Sequence, residues 1–404
     1  MTAPPRDVLY VHHRPELGGA PQSLRYLIEH LDRDRYLPHV YCPPGPAADS
    51  FAEAGAIIHP GEVAAFTHIW ASTYAGRRWL LLGRELAKAP RHVASFRALL
   101  RRHRFDIVHL NDSPLIGAAY LARHARIPVV WHLRSALAST GAVRSGLMRR
   151  TIRRCASATI AINDDVARSF DVGATVIPNA VALDRFHPRP SAEVRRELGL
   201  PEEPVVVSYF GFIYPSKGFR DFIEAARLVR RNGAEALYLI VGGAVRDSEF
   251  FRTPLGRILA FAGLVSDHQR EAEELVARLG LDDCVRFVPF TSDTARMFQA
   301  TDIVVAPSRG PELGRPVLEG CACGRAVVAS GSVTGGGLVI PDETGVLVPR
   351  RSPDSLAVAL EQLIRSPADR LRLGENARRY AEENFAAGRN AEQVMEIYDR
   401  LGTG

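Results

Sequence analysis

The chain has 404 residues, of which 46% are apolar, 24% charged and 8% aromatic, and its formal net charge is +6. That length fits two or three domains with cores large enough to need no disulfide or metal, and the composition excludes long disorder, collagen and coiled coil. The longest apolar run, 236–245, is too short to cross a bilayer, and residues 1–13 show no basic-then-apolar leader, so a cytoplasmic location is expected.

In chain order, 7–12 is an apolar run that ends at the loop carrying Gly18 and Gly19. Leu24, Leu27, Ile28 and Leu31 then recur at helical spacing. Strand-like runs follow at 38–42, 106–110, 129–132, 159–162 and 175–177, with helical stretches between most of them. Residues 179–204 hold four prolines around one short helical segment, which marks a boundary. The alternation restarts with a strand at 205–209, a helix at 219–230 and a strand at 237–241. A helix ends near Leu279, strands are read at 285–289 and 303–306, a helix at 316–323, and strands at 326–329 and 345–348. Ser352 and Ser366, each followed by proline, open helices, and 390–401 is the last helix. Strand–helix alternation predicts mostly parallel sheets covered on both faces. The expected fold class is α/β with two doubly wound, Rossmann-like domains. Their expected extents are 1–183 with a returning helix at 387–404, and 184–386.

Five cysteines, at 42, 155, 284, 321 and 323, fit no zinc or disulfide spacing. Cys321 and Cys323 lie in an apolar helical run and read as core, and reduced thiols agree with the cytosol. Only two residues are lysine, Lys88 and Lys217, so a retained lysine draws notice. The positive charge is concentrated: residues 64–160 hold 17 Lys or Arg against three acids. No aromatic-rich RNA-binding signature accompanies it, so nucleic acid is not expected as a partner. Anionic lipid and phosphorylated substrates remain as partners for such a surface.

Ligands of open α/β sheets bind past the carboxyl ends of the strands, so the loops there hold the candidate residues. Gly18-Gly19 reads either as a plain turn or as backbone that approaches an anion at a helix N-terminus. Lys217 stands in the strand-to-helix loop 210–218 and reads as a phosphate contact, against a solvated loop lysine. Glu312 and Glu319 flank Leu313-Gly314-Arg315-Pro316-Val317-Leu318. With a helix beginning near Leu313, seven residues put both carboxylates on one side, where they could accept from sugar hydroxyls. The alternative is two surface acids on an ordinary helix. Gly314 would leave its N–H free for a phosphate. His132 ends the run Val129-Val130-Trp131 and reads either as a core histidine or as a donor to a substrate oxygen. Asp32-Arg33-Asp34 spells a metal-type motif but reads as a solvated turn, and Asp164-Asp165 reads as the cap of the next helix.

Together these pieces resemble the retaining glycosyltransferases of family 4, which have the GT-B fold. The resemblance is carried by Tyr10-Val11-His12-His13 with Gly18-Gly19, by Asp106-Ile107-Val108-His109, and by Val176-Ile177-Pro178-Asn179. Its most specific piece is Glu312-Leu313-Gly314-Arg315-Pro316-Val317-Leu318-Glu319 with the run that follows. It implies two domains facing across a cleft and a metal-independent, hexosyltransferase-like enzyme with no cofactor. It also implies roles. Gly18 and Gly19 would face the donor diphosphate and Lys217 would hold its phosphates. Glu319 would bind the ribose hydroxyls, and the base would rest near Phe290. Glu312 would sit by the transferred sugar with the backbone of Leu313, Gly314 and Arg315, and His132 would lie near sugar and acceptor.

Three departures stand out. Six residues rather than seven separate the glutamates, Phe212 replaces a usual arginine for which Arg315 is a candidate substitute, and 334–338 replaces a Gly-Gly…Glu loop.

The expected function is sugar transfer, with retention, from a nucleotide-diphosphate sugar to an acceptor such as a glycolipid or glycan precursor. Two rivals remain: a GT-B epimerase or hydrolase of the nucleotide sugar, and a non-catalytic relative that binds it. The basic N-terminal region is expected to meet an anionic membrane surface, at the inner face of the membrane. Within 92–104, Val93, Phe96, Leu99 and Leu100 recur at helical spacing and read either as a stripe that packs on the sheet or as part of that surface.

Overall fold

The computed structural model describes residues 4–66, 79–137, 142–243, 248–291, 293–310, 313–331 and 337–402, with backbone alone at 79–81, 142–144 and 248. The chain divides into two compact units, 1–180 with 387–404 and 181–386.

The first unit is built on seven parallel strands: β1 (Arg6–Val11), β2 (Tyr36–Cys42), β3 (Ile57–Pro60), β4 (Ile107–Asn111), β5 (Val129–Leu133), β6 (Ala158–Ala161) and β7 (Thr175–Val176). Their order is β3-β2-β1-β4-β5-β6-β7, and every pairing is parallel. Successive β1 side chains enter opposite cores: Leu9 and Val11 join one, Val8 and Tyr10 the other. A sheet buried on both faces requires apolar strands of this kind. Helices Trp79–Arg102, Ile116–His124 and Ala142–Cys155 supply Phe96, Ala118 and Met148 to one core. Helices Gly19–Glu29, Pro46–Glu53 and Ala387–Gly402 supply Leu24, Phe51 and Tyr398 to the other. The stripe at 93–100 faces inward, with Phe96 fully buried and Val93, Leu99 and Leu100 packed against the core.

The second unit carries β8 (Val205–Phe210), β9 (Ala236–Val241), β10 (Val285–Val288), β11 (Ile303–Ala306), β12 (Ala326–Ser330) and β13 (Val346–Val348), in the order β10-β9-β8-β11-β12-β13. Its helices also cover both faces. Cys321 and Cys323 are buried in one of these cores, where loss of water pushes both thiols up to about 12. All five cysteines are free. Strand order reverses between β1 and β4 in the first sheet and between β8 and β11 in the second. Such reversals open crevices that receive ligands.

The structure differs from the sequence reading in several places. The second unit begins at Val181 rather than 184, because Val181 N–H donates to Phe385 O at 2.8 Å and its side chain joins the second unit's core. Strand β3 was not expected, since it is four residues long, half exposed and ends in proline. Helices Ser248–Arg252 and Pro254–Phe261 were not resolved from the helix that ends near Leu279. The cap before Asp164 is Asn163, whose Oδ1 accepts from Val166 N–H at 2.8 Å, while the two aspartates fill the first turn. Asp32 and Asp34 are exposed. Ser352 and Ser366 do cap their helices.

Candidate active site

In the second unit the loops after β8 and β11 are fastened together. Gly218 has φ +79°, and a Cβ there would lie 1.8 Å from Pro307 O, so only glycine fits. Arg309 N–H donates to Ser216 O at 2.8 Å, and the Arg309 guanidinium grips both carboxylate oxygens of Asp221. Lys217, at the end of the short turn Pro215–Lys217, is thereby placed by rigid backbone while its side chain stays exposed.

Gly314, with φ +52°, caps the helix Arg315–Ala322. Lys217 Nζ lies 3.9 Å from where a Gly314 Cβ would be. A lysine therefore stands at the positive end of a helix dipole, with no carboxylate partner among the described residues. Two positive features held together in this way favour an anion between them.

The helix begins at Arg315, one residue before the element read at 316–323 and two after the start near Leu313 that would align the glutamates, because the left-handed turn at Gly314 delays it. Glu312 therefore precedes the helix, the two-turn alignment with Glu319 does not apply, and Glu312 itself lies outside the described residues, as do 332–336. Arg315 does not point outward as a second diphosphate cation. It is buried, and its Nε donates to Glu319 Oε1 at 2.9 Å. Burial raises the Glu319 carboxyl above the ordinary range, and Arg315 opposes that shift. Leu313 is buried in the core beside this helix. Phe290, two residues past β10, is 67% exposed, and Phe212 is 41% exposed.

In the first unit Gly18 precedes the helix Gly19–Glu29 with extended backbone, and a Cβ there would meet nothing within 4 Å. Neither conformation nor packing among the described residues requires glycine at 18, which leaves approach of a ligand as a reason for it.

His132 closes β5 inside a buried polar network that the sequence reading did not assemble. Arg134 donates from Nε to Asn111 Oδ1 at 2.5 Å and from Nη1 to Asn179 Oδ1 at 2.6 Å. Its Nη2 lies 3.4 Å from His132 Nδ1. Arginine only donates, so this Nδ1 accepts and the His132 proton sits on Nε2. His109 Nε2 lies 3.3 Å from the same atom, and His109 Nδ1 is 2.6 Å from Tyr398 Oη on the last helix. Asn111 Nδ2 is 3.1 Å from His12 Nδ1.

Burial, reinforced by the Arg134 charge, holds His12 and His109 down to about 3 and His132 well below its usual value. All three rings are neutral at pH 7. His132 and Asn390 line a cavity of about 20 Å³ together with Arg134, Pro178 and Asn179. His132 Nε2 and Asn390 Oδ1 are both buried and unpartnered. Asn390 is held with its Nδ2 donating to Pro178 O, which turns Oδ1 away from that bond. Donor and acceptor in a space of this size match one hydroxyl group or water. The sequence signals available for the network were the Pro178-Asn179 pair and Arg134 two residues past His132.

Two family models divide the chain between them. Residues 17–185 match Glycosyltransferase Family 4, and residues 190–380 match Glycosyl transferases group 1. The chain belongs to glycosyltransferase family 4. Among curated relatives, this family-4 chain is 32% identical over 246 residues to D-inositol 3-phosphate glycosyltransferase of Saccharomonospora viridis, covering 58% of this chain and 52% of the relative. It is 28% identical over 305 residues to the lipopolysaccharide core biosynthesis mannosyltransferase LpcC of Rhizobium leguminosarum bv. viciae, covering 74% and 80%. The chain spans about half the length of the first of these. HepE of Anabaena, solved in complex with UDP-glucose, superposes with a TM-score of 0.76 at 21% identity, covering 98% of this chain and 99% of HepE. The fold is GT-B.

Among the described residues, no helix is long and apolar enough to cross a membrane, and no group of three or more His, Cys, Asp or Glu is arranged to hold a metal ion.

Proposed function

We propose that this protein is a retaining glycosyltransferase that moves a hexose from a nucleotide-diphosphate sugar to a hydroxyl acceptor. The observation that carries it is Lys217 Nζ beside Gly314 at the N-terminus of Arg315–Ala322, an anion site at the strand reversal of the second sheet. The diphosphate occupies that site. Its leaving charge is met by Lys217 and by the helix N-terminus, a preorganised field that strengthens as charge develops.

Glu319 accepts from the ribose hydroxyls, with Arg315 opposing the upward shift that burial gives its carboxyl. Phe290 offers an exposed ring to the base. Gly18 and Gly19 admit the diphosphate closely, and neutral His132 presents Nε2–H to a sugar hydroxyl. Glu312, with the backbone around Leu313, orients the transferred sugar. The anomeric C–O bond to phosphate breaks and a C–O bond to the acceptor forms on the same face. The departing phosphate oxygen takes the acceptor's proton, so no base, metal or cofactor is needed for balance.

HepE was solved with UDP-glucose, which supports a uridine donor. The name of LpcC supports a lipid-linked acceptor. The basic face of the first unit supports an anionic membrane surface as a partner. On the helix Ala142–Cys155, Arg150 and Arg154 are exposed beside Leu147, which is 56% exposed, and a polybasic surface gains about 1 kcal/mol per cation at such a leaflet.

The test is turnover of UDP-, GDP- and ADP-sugars with and without acceptors, read by NMR of the anomeric proton. Sugar transfer with an axial anomer kept axial is expected. Hydrolysis or epimerisation without acceptor would establish the first rival. Binding without turnover would establish the non-catalytic one, which Phe212 and the glutamate spacing favour. Glu312→Gln should lower turnover while Glu319→Gln lowers donor affinity.

A further inference from the structure

Between β9 and the helix His268–Arg278, the second unit makes two short helices, Ser248–Arg252 and Pro254–Phe261. The second is locally well determined. Thr253 Oγ1 accepts from Gly256 N–H at 3.0 Å, and Pro254 occupies the first helical position. A Cβ on Gly256 would lie 1.9 Å from Phe250 O, so the two helices touch backbone to backbone and form a stiff hairpin.

Its outer face is apolar. Leu255, Ile258 and Phe261 are 59%, 64% and 94% exposed, and a spacing of three residues keeps them on one side of the helix. None of them contributes to either core of the unit. One exposed leucine would need no explanation, but three large apolar side chains on one face of an eight-residue helix form a patch that marks an interaction surface.

The charges say what it meets. The two helices carry Arg252 and Arg257 against one acid, Glu249 at the start of the first helix, and residues 250–266 hold no acid. Both arginines are exposed and neither has an ion-pair partner among the described residues. Apolar side chains flanked by unpaired arginines match a leaflet with acyl chains below and phosphates above.

We propose that this hairpin is a membrane contact: Leu255, Ile258 and Phe261 enter the acyl boundary of an anionic leaflet while Arg252 and Arg257 meet its phosphates. The inference deepens the membrane reading above, but it uses a different surface and a different force. Insertion of apolar groups persists at salt concentrations that screen the arginines of the first unit.

The test is flotation with phosphatidylglycerol and phosphatidylcholine vesicles at low and high salt. It compares the wild-type chain, a Leu255→Ser/Ile258→Ser/Phe261→Ser variant and an Arg150→Glu/Arg154→Glu variant. All substituted positions are exposed, and circular dichroism checks the fold. The triple variant should lose about tenfold in partitioning to phosphatidylglycerol at high salt, while the arginine variant keeps it. In Phe261→Trp, the emission in excess of wild type should move to the blue with these vesicles and be quenched by dibromo-lipid. Equal flotation of the triple variant and wild type, with no blue shift, would overturn the proposal and leave the basic face as the contact. A wild-type dimer by light scattering that the triple variant abolishes, without lipid binding, would make the occupant a second copy and also overturn it. Turnover with a soluble acceptor reports the glycosyltransferase reading separately.

Discussion

His132 in the first unit and Lys217 in the second both stand just past a parallel strand, yet water treats them in opposite ways. His132 is enclosed, neutral and oriented by Arg134 and His109, and each partner is itself held by another buried group. Lys217 is exposed and owes its position to backbone alone, through Gly218 and the loop that ends β11. A desolvated polar network is rigid before any ligand arrives but is costly to charge. A solvated lysine carries no desolvation cost before binding, and its field strengthens only when a ligand displaces water. The first unit thus holds preset polar geometry, and the second holds a lysine with no carboxylate partner among the described residues.

The largest effect should come from acid. His12, His109 and His132 have folded-state values below their unfolded value of about 6.5. Their contribution to stability is therefore complete above that pH and is lost as pH falls toward the folded values. His12 and His109 should each remove about 2 kcal/mol by about pH 5, and His132 acts in the same direction. Every tryptophan of the chain, 70, 79 and 131, belongs to the first unit. Tryptophan emission should accordingly report loss of the first unit between about pH 6 and pH 5, while part of the far-ultraviolet dichroism persists. Native emission maintained down to about pH 4 would break the contrast between the units.

Lys217→Ala comes next. A charged hydrogen bond contributes about 1.5–3 kcal/mol, so donor affinity should fall by about ten- to a hundredfold in calorimetry, with the melting temperature unchanged. An unchanged affinity would remove the phosphate role from this residue. Gly218→Ala should act through the backbone, since a left-handed φ and a carbonyl at 1.8 Å both oppose the new Cβ. A loss of about 1–3 kcal/mol in denaturant unfolding, with weakened donor binding, is expected. Full stability and full affinity would show that the loop can be repositioned freely.

The smallest and most specific effect is that of Asn390→Asp. A carboxylate facing the cavity beside His132 should draw the imidazole back toward its usual titration range. The variant's turnover should then begin to fall at higher pH than the wild type's, within about pH 6 to pH 7, and the ¹⁵N shifts of His132 should titrate there. If neither moves, the unpartnered Asn390 oxygen and the His132 Nε2–H do not share that cavity.

Most strands were legible because a sheet buried on both faces demands short apolar runs, and runs such as 205–209 and 303–306 leave few alternatives. Strand β3 was not legible, because an edge strand of four half-exposed residues carries almost no pattern. The hairpin 248–261 was missed for a related reason. Its apolar residues face outward, so their periodicity marks no core. Among the candidate site residues, Lys217, Gly314 and Glu319 were read from loop position and motif. Arg134, Asn111, Asn179 and Asn390 were not, since each is an ordinary polar residue until a partner 23 to 212 positions away is brought to it.

The sequence by itself determined the α/β class, the two doubly wound sheets and the loops where ligands belong. Those properties follow from local periodicity and from the preference of serine, proline and glycine for helix ends. Only the tertiary structure decided that the Arg315 guanidinium turns onto Glu319, that Lys217 lies beside Gly314, and that the His132 proton sits on Nε2. Each of these outcomes depends on which groups water leaves together once the chain closes, and no pattern of neighbours along the chain encodes that desolvation.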